Sequence, residues 1–157
     1  MERVRAYPCT LVEITGGEPL LQKGARTLAD QLLAADYTVL CETSGERDID
    51  LMPLGVKRII DLKAPGSDEV HSNRWENIDQ LRDGDEIKIV IKDREDFDWA
   101  VEVVDQHQLI EKTPVLFSPV HGVLEAELLA KWILETGLPI RFNNQLHKQI
   151  WGERQGV

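Results

Sequence analysis

The chain has 157 residues, a mass of 17.8 kDa and a hydrophobic fraction of 42%, values typical of one folded domain with a sizeable core. Its 18 basic and 28 acidic residues give a formal net charge of −10, which argues against a general nucleic-acid or membrane-surface binder, because both need cationic patches. The two cysteines, Cys9 and Cys41, are too few for a Cys-only zinc site or a disulfide-dense secreted scaffold.

The first ten residues, MERVRAYPCT, carry charges at Glu2, Arg3 and Arg5 and have no apolar segment of the kind found in signal peptides. No apolar run approaches the ~20 residues that a membrane-spanning helix needs. The sequence therefore predicts a cytoplasmic protein that binds neither membranes nor nucleic acid.

Hydrophobic periodicity alternates along the chain between the patterns of strands and helices. A helix-like segment at 2–6 precedes the first strand. The predicted strands are Leu11–Ile14, 37–42, Lys57–Leu62, Glu86–Ile91, 114–117 and 138–142. The predicted helices are Ala25–Leu33, a short one at 75–81, one with an apolar face over 97–104, and 125–135. The sequence predicts a long polar loop at residues 64–73 and a solvated turn at Asp83, Asp85 and Glu86. This alternation predicts an α/β fold with a parallel sheet, open or curved into a barrel, in a single domain over residues 1–157.

Polar residues cluster where the predicted strands end. The clusters are Thr15-Gly16-Gly17-Glu18, Glu42-Thr43-Ser44-Gly45, Asp61-Leu62-Lys63, Lys92-Asp93, Ser118-Pro119, and Arg141 with Asn143-Asn144. Turns also fall at strand ends, so one such cluster alone carries little weight. Because parallel α/β folds bind ligands at the carboxyl edge of the strands, six clusters together predict a ligand site at this edge.

The segment TGGEP, from Thr15 to Pro19, is the sharpest local signal. Two adjacent glycines let the backbone approach a ligand without obstruction by Cβ atoms. The carboxylate of Glu18 could accept hydrogen bonds from an ammonium group, and Pro19 fixes the direction of the chain after the turn. From the spacing alone, a plain strand-to-helix turn with an exposed glutamate remains an equal alternative.

ITGGEPLLQ resembles the GGEP element of the radical S-adenosylmethionine enzymes. Together with CETSG (Cys41 to Gly45), IIDLKAPGS (Ile59 to Ser67), EIKIVIKDREDFDWA and the tail LPIRFNNQLHKQIWGERQGV, it resembles the 7-carboxy-7-deazaguanine synthase family. The resemblance covers essentially the whole chain, and the motifs occur in the order of the family. It implies a (β/α) barrel of the radical S-adenosylmethionine type.

The resemblance also implies a set of binding residues. Those expected to contact S-adenosylmethionine are Gly16, Gly17, Glu18, Ser44, Asp61, Leu62, Lys63, Ser118, Pro119, Val120 and His121. In the family, the GGEP backbone and carboxylate hold the amino group of that cofactor. The residues expected to contact substrate are Thr15, His147 in the QLHK segment and, through the terminal carboxylate, Val157.

The implied reaction is a ring contraction in 7-deazapurine (queuosine) biosynthesis. It converts 6-carboxy-5,6,7,8-tetrahydropterin to 7-carboxy-7-deazaguanine with loss of ammonia, which makes the enzyme a lyase. In the family, a reduced [4Fe-4S] cluster cleaves S-adenosylmethionine and Mg²⁺ assists the rearrangement. An external electron donor and a homodimer are further implications, since family members are typically dimers.

The sequence departs from this family at the cluster. Three cysteines of one loop, which lies before the GGEP strand, hold the cluster in the family, and the same loop carries a threonine that binds magnesium. Cys9 is the only cysteine before Thr15, and Cys41, at the end of another strand, is expected to be a small buried residue. We therefore expect no metal ligands in this chain, a partial barrel that lacks the first strand and the cluster loop, and no activity of these residues alone.

Three interpretations remain open. In the first, the chain is an N-terminally truncated 7-carboxy-7-deazaguanine synthase, with Leu11–Ile14 exposed at a sheet edge. In the second, it is a non-catalytic ligand-binding or partner protein that retains the cofactor rim. The third, an ordinary phosphate-binding (β/α) enzyme, has little support because the sequence lacks a glycine-rich phosphate loop.

Overall fold

The computed structural model describes residues 1–152 and 154, apart from the side chain of His147. Six parallel strands form one sheet whose spatial order follows the chain. They are β1 (Leu11–Ile14), β2 (Thr38–Thr43), β3 (Lys57–Leu62), β4 (Glu86–Ile91), β5 (Val115–Pro119) and β6 (Arg141–Phe142).

Six α-helices lie within the described residues. They are α1 (Glu2–Arg5), α2 (Ala25–Leu33), α3 (Arg94–Gln106), α4 (Leu109–Lys112), α5 (Ala126–Thr136) and α6 (Leu146–Trp151). Short 3₁₀ helices occupy the connections Pro19–Leu21, Ile49–Leu51, Pro65–Ser67, Val70–Ser72 and Trp75–Gln80. None of the helices in this part of the chain is long and apolar enough to span a bilayer.

The spatial order of the strands runs in one direction across the sheet, from β1 to β6. Because parallel connections are right-handed, a sheet built in one direction places all its helices on the same face, which is the arrangement of a barrel. Burial confirms this, since side chains along β2, β3 and β4 alternate between buried and half-buried, after an exposed first residue in β2 and β3. The predicted α/β class and the open, barrel-like parallel sheet are therefore confirmed.

The helix-covered face of the sheet contains two apolar clusters. The larger joins β3, β4 and β5 to α3 and α5, with Ile89, Phe97 and Phe117 almost fully buried. The smaller packs α2 against β2 through Leu32 and Val39. The opposite face of the sheet carries the remaining strand residues, including charged ones, and faces the interior of the partial barrel.

Strand boundaries match the sequence-based prediction closely, except at the end of the chain. The predicted strand 138–142 shrinks to Arg141–Phe142, because Pro139 has no backbone N–H to donate to a neighbouring strand. The loop predicted at 64–73 contains two 3₁₀ helices. The sequence did not predict α6, which forms beyond the last predicted strand.

Asp85 corrects the interpretation of residues 83–86 as a solvated turn. Its side chain is 1% exposed and pairs with the fully buried guanidinium of Arg58. Asp85 Oδ1 also accepts a 2.8 Å hydrogen bond from the backbone N–H of Arg58, whose Nη1 donates to Asp50 at 2.9 Å. The carboxylate of Asp85 is therefore buried at the amino-terminal end of the sheet, where it binds Arg58, instead of facing water.

β1 lies at one edge of the sheet, as predicted. Within the described part of the chain, β1 pairs only with β2. A groove of about 610 Å³ runs beside it, lined by residues that include Tyr7, Cys9 and Leu11. Tyr7 is 71% exposed and Leu11 54% exposed, so this edge combines unpaired backbone with apolar side chains.

Candidate functional site

The carboxyl ends of β1, β2 and β3 meet around a cavity of about 260 Å³, which we call the rim cavity. It is lined by Thr15, Gly17, Glu18, Glu42, Thr43, Ser44, Asp61 and Lys63. Three of the polar clusters predicted at strand ends therefore do converge on one site.

The two glycines of TGGEP form an open turn at this cavity. Gly16 has φ +92° and Gly17 has φ +60°, conformations that glycine adopts without strain. A Cβ atom built at either position would find no protein atom within 4 Å. The turn therefore exposes backbone to space that a ligand can occupy.

Glu18 joins this turn to the end of β2. Its Oε1 accepts hydrogen bonds from the Thr43 hydroxyl at 2.6 Å and the Leu20 N–H at 2.9 Å. Its Oε2 accepts from both the N–H and the hydroxyl of Ser44, each at 2.7 Å. Burial alone would raise the pKa of Glu18, but the hydrogen bonds from Thr43, Leu20 and Ser44 outweigh it and hold that pKa below its usual value.

These four bonds change the role expected for the carboxylate of Glu18. Each oxygen already accepts two hydrogen bonds from protein donors, which fills its usual capacity. In this arrangement the carboxylate is a structural link between two rim segments, and only the backbone around Gly16 and Gly17 remains open to a ligand amino group. The hydroxyl of Ser44, a residue that the resemblance assigns to the cofactor, likewise donates its hydrogen bond to Glu18.

Alternating charges cross the inner face of the sheet below the rim cavity. Lys88 forms an ion pair with Glu42, and its Nζ lies 4.0 Å from Asp61 Oδ1. Asp61 Oδ2 accepts in turn from Lys63 Nζ at 2.7 Å. Burial favours a lower pKa for Lys88, but the charge of Asp61 and the hydrogen bond to Glu42 raise it above its usual value, so Lys88 stays charged.

Lys88 was not among the predicted site residues, and Glu42 was predicted only as a member of the strand-end cluster Glu42-Thr43-Ser44-Gly45. The signal that could have found Lys88 is its position as a lone inner charge in the otherwise apolar stretch IKIVI. Glu42 lies within the ETSG cluster, two residues before Ser44, the position that the resemblance selects.

A second cavity of about 210 Å³ lies next to the first and shares Asp61 and Lys63 with it. It is lined by Asp61, Leu62, Lys63, Ala64, Gly66, Ser67, Val90, Lys92, Asp96 and Val120. Asp61 Oδ1 at its wall has no hydrogen-bond partner among the described residues. Asp61 Oδ1 is itself buried and lies 4.0 Å from Lys88 Nζ, so the two cavities form one polar edge whose shared carboxylate already pairs with lysines.

The remaining predicted residues are less closely grouped. Ser118 is 1% exposed and lies on the inner face of β5, where its hydroxyl has no partner within the part of the chain that the structure describes. Pro119 is buried, and His121 is exposed beyond the strand. Val157 and the side chain of His147 lie outside the described residues.

The two thiols do not form a cluster site. Cys9 is exposed just before β1, whereas Cys41 is fully buried on the helix-covered face of β2. Burial raises the pKa of Cys41 to about 12, with Glu18 and other carboxylates adding to the effect, so this thiol does not ionise at neutral pH. No group of three or more metal-ligating side chains occurs among the residues described. The donor set therefore does not fit a [4Fe-4S] cluster.

Comparison with known proteins now identifies the family, although no family model matches the chain. The 7-carboxy-7-deazaguanine synthase of Koribacter versatilis is 44% identical over 96% of this chain and 73% of its own length. The enzyme of the same name from Chlorobaculum tepidum is 41% identical over 100% of this chain and 73% of its own. The chain belongs to the 7-carboxy-7-deazaguanine synthase family.

Solved structures agree on the fold. QueE from Escherichia coli superposes with a TM-score of 0.70 at 17% identity, covering 91% of this chain and 59% of QueE. Streptococcus suis SuiB, in a crystal structure bound to S-adenosylmethionine, gives a TM-score of 0.54 at 12% identity, covering 86% of this chain and 38% of SuiB. This synthase family member therefore shares its α/β architecture with proteins that are considerably longer.

Proposed function

We propose that the chain carries the S-adenosylmethionine- and pterin-binding rim of a 7-carboxy-7-deazaguanine synthase. The full reaction is the ring contraction of 6-carboxy-5,6,7,8-tetrahydropterin to 7-carboxy-7-deazaguanine, in the cytoplasm and with electrons from an external donor. The observation that carries this proposal is the convergence of the TGGEP, ETSG and DLK segments on one cavity.

The chemistry of the rim suits a zwitterionic ligand. The backbone of the Gly16-Gly17 turn is unobstructed, and its carbonyl groups are the proposed acceptors for an ammonium group, because the carboxylate of Glu18 is already occupied. Lys63, at the junction of the two cavities, offers a cation to a carboxylate of the cofactor or of the substrate. Thr15 and Ser44 complete the wall nearest to the turn.

The cluster ligands are the part that this chain does not supply. We propose that they come from a segment outside these 157 residues, so that the 157-residue chain alone binds ligands without catalysing the reaction. We propose that the threonine that binds Mg²⁺ lies in the same outside segment. Complementation by such a segment, whether on the same polypeptide or on another, would restore catalysis.

Two measurements test these proposals. Titration calorimetry with S-adenosylmethionine should show binding that Gly17→Val abolishes, because the new side chain fills the open space of the turn. Anaerobic reconstitution with iron and sulfide should give no stoichiometric [4Fe-4S] absorbance. Absence of S-adenosylmethionine binding, or a full cluster spectrum, would contradict the corresponding part of the proposal.

A non-catalytic binding protein is the second candidate, because the rim is intact while the thiols do not fit a cluster. The DNA upstream of the coding sequence separates the two. An in-frame extension that encodes a three-cysteine loop supports the synthase, whereas a stop codon directly before a ribosome-binding site supports the binding protein.

A further inference from the structure

Two buried asparagines on one short segment contact the two loops that line the rim cavity. We call residues 44–49 the β2 loop and residues 63–67 the β3 loop, after the strands that they follow. Asn73 is 8% exposed and Asn77 is 2% exposed. They lie four residues apart, across the start of the 3₁₀ helix Trp75–Gln80.

Asn73 holds the β3 loop at its first residue. Its Oδ1 accepts a hydrogen bond from the backbone N–H of Lys63 at 2.8 Å, and its Nδ2 donates to the carbonyl of Lys63 at 2.9 Å. Both backbone groups of Lys63 are thus bound to one side chain. Since Lys63 lines both cavities, this contact fixes a residue of the ligand site.

Asn77 holds the β2 loop in the same way. Its Nδ2 donates to the carbonyls of Gly45 at 2.7 Å and Arg47 at 2.9 Å. Its Oδ1 accepts from the backbone N–H of Ile49 at 3.3 Å. This loop begins at Ser44, which lines the rim cavity and bonds Glu18.

The segment that carries both asparagines is itself fixed to the core. Ile78 is 3% exposed and belongs to the larger apolar cluster. Trp75 stacks on His107 at the end of α3, with ring centroids 4.7 Å apart and planes 5° apart. A displacement of this segment would therefore move both asparagines together.

We propose that residues 73–77 form a brace that sets the spacing of the β2 and β3 loops, and that Asn73 and Asn77 are positioning residues for the ligand of the rim cavity. Neither asparagine lines that cavity, so each acts through the loop that it holds. Binding to a site held in its bound geometry avoids the entropic cost of ordering the loops. The identity of the ligand as S-adenosylmethionine rests on the proposed function.

Hydrogen exchange tests the brace without any ligand. In Asn73→Ala, the amides of Gly45 and Ile49 in the β2 loop should exchange at least about tenfold faster, although their own bonds remain. In Asn77→Ala, the amides of Lys63 and Gly66 in the β3 loop should respond likewise. Faster exchange confined to the loop whose own hydrogen bonds are lost would overturn the brace.

Calorimetry with S-adenosylmethionine tests the positioning role. Asn73→Ala and Asn77→Ala should each raise the dissociation constant at least about tenfold, equivalent to roughly 1.4 kcal/mol. The control is Ile133→Ala, a core truncation on α5, a helix that carries neither the brace nor its His107 anchor, and it should lower thermal stability alone. If the asparagine variants bind no more weakly than this control, the positioning role is wrong.

The experiments remain decisive if a variant does not fold or if the unmodified chain binds no S-adenosylmethionine. If an alanine variant does not fold, Asn73→Ser and Asn77→Ser replace it, because the neutral serine hydroxyl adds no buried charge and can still make one hydrogen bond. They should show the same changes at smaller amplitude. If the unmodified chain binds no S-adenosylmethionine, the proposed function fails, while the exchange experiment still decides whether the brace exists.

Discussion

Ser44 donates two hydrogen bonds to the same oxygen of Glu18, one from its N–H and one from its hydroxyl, each 2.7 Å long. The TGGEP turn and the end of β2 are 26 positions apart in the sequence and are joined here by one carboxylate. The rim cavity therefore depends on an anion that makes its contacts within the protein.

Glu18→Gln should weaken this connection. The amide keeps one acceptor oxygen but presents an NH₂ group toward donors, so we expect a loss of about 1–3 kcal/mol in the free energy of unfolding. Urea denaturation measures it. Glu46→Gln, an exposed glutamate of the same loop, is the control and should stay within about 0.5 kcal/mol of the parent. Equal effects of the two changes would contradict the structural role of Glu18.

The stability of the chain should depend on the charge of Glu18. Because the folded state lowers the pKa of Glu18, the ionised form contributes stability above the unfolded pKa and loses it as the pH falls through the folded value. Unfolding free energies measured below about pH 4 should therefore decline less steeply in Glu18→Gln than in the parent. A parallel decline in both proteins would show that Glu18 contributes nothing to acid sensitivity.

Asp85→Ala should be among the most damaging single changes. It would leave the guanidinium of Arg58, which is 0% exposed, without its main partner, at a cost of about 3–5 kcal/mol. Thermal and denaturant unfolding measure the loss. Glu135→Ala removes the exposed partner of Lys131 and serves as the control, with an expected effect of about 0–1 kcal/mol.

Gly45→Ala should destabilise the β2 loop through a direct clash. A Cβ atom at this position would lie 2.7 Å from Cγ2 of Ile60, and the backbone has φ +70°. Gly122 has a similar φ of +74° but no atom within 4 Å of a built Cβ, so Gly122→Ala isolates the cost of the conformation. We expect the first variant to lose about 1–3 kcal/mol more than the second, as measured by denaturation.

The exposed edge of β1 should promote association of the isolated chain. Unpaired strand edges with apolar side chains pair with other strands, so sedimentation at increasing concentration should reveal dimers or larger species. Leu11→Lys should weaken this association, whereas Leu54→Lys, at a site 83% exposed and away from the edge, should not. A parent chain that stays monomeric at all concentrations would contradict this prediction.

Local patterns accounted for most of the fold. Leu11–Ile14, Lys57–Leu62 and Glu86–Ile91 are strands at the predicted bounds, because period-two burial and turn residues mark their ends. The motifs around Gly17, Ser44 and Lys63 also pointed to one edge, since parallel strands bring their carboxyl ends together. Asp85 was missed because nothing local distinguishes a buried aspartate from one in a solvated turn.

The amino-acid sequence by itself determined the composition limits, the alternation of strands and helices, the family motifs and the shortage of cysteines. Only the tertiary structure decided how the polar residues are used. In the folded chain, the carboxylate of Glu18 accepts hydrogen bonds from Ser44 and Thr43. Lys88 pairs with Glu42 across the sheet. Asn73 and Asn77 bind the loops that border the rim cavity. The physical reason is that a polar side chain finds its hydrogen-bond partners among residues distant in sequence, and these distances are set only when the sheet assembles.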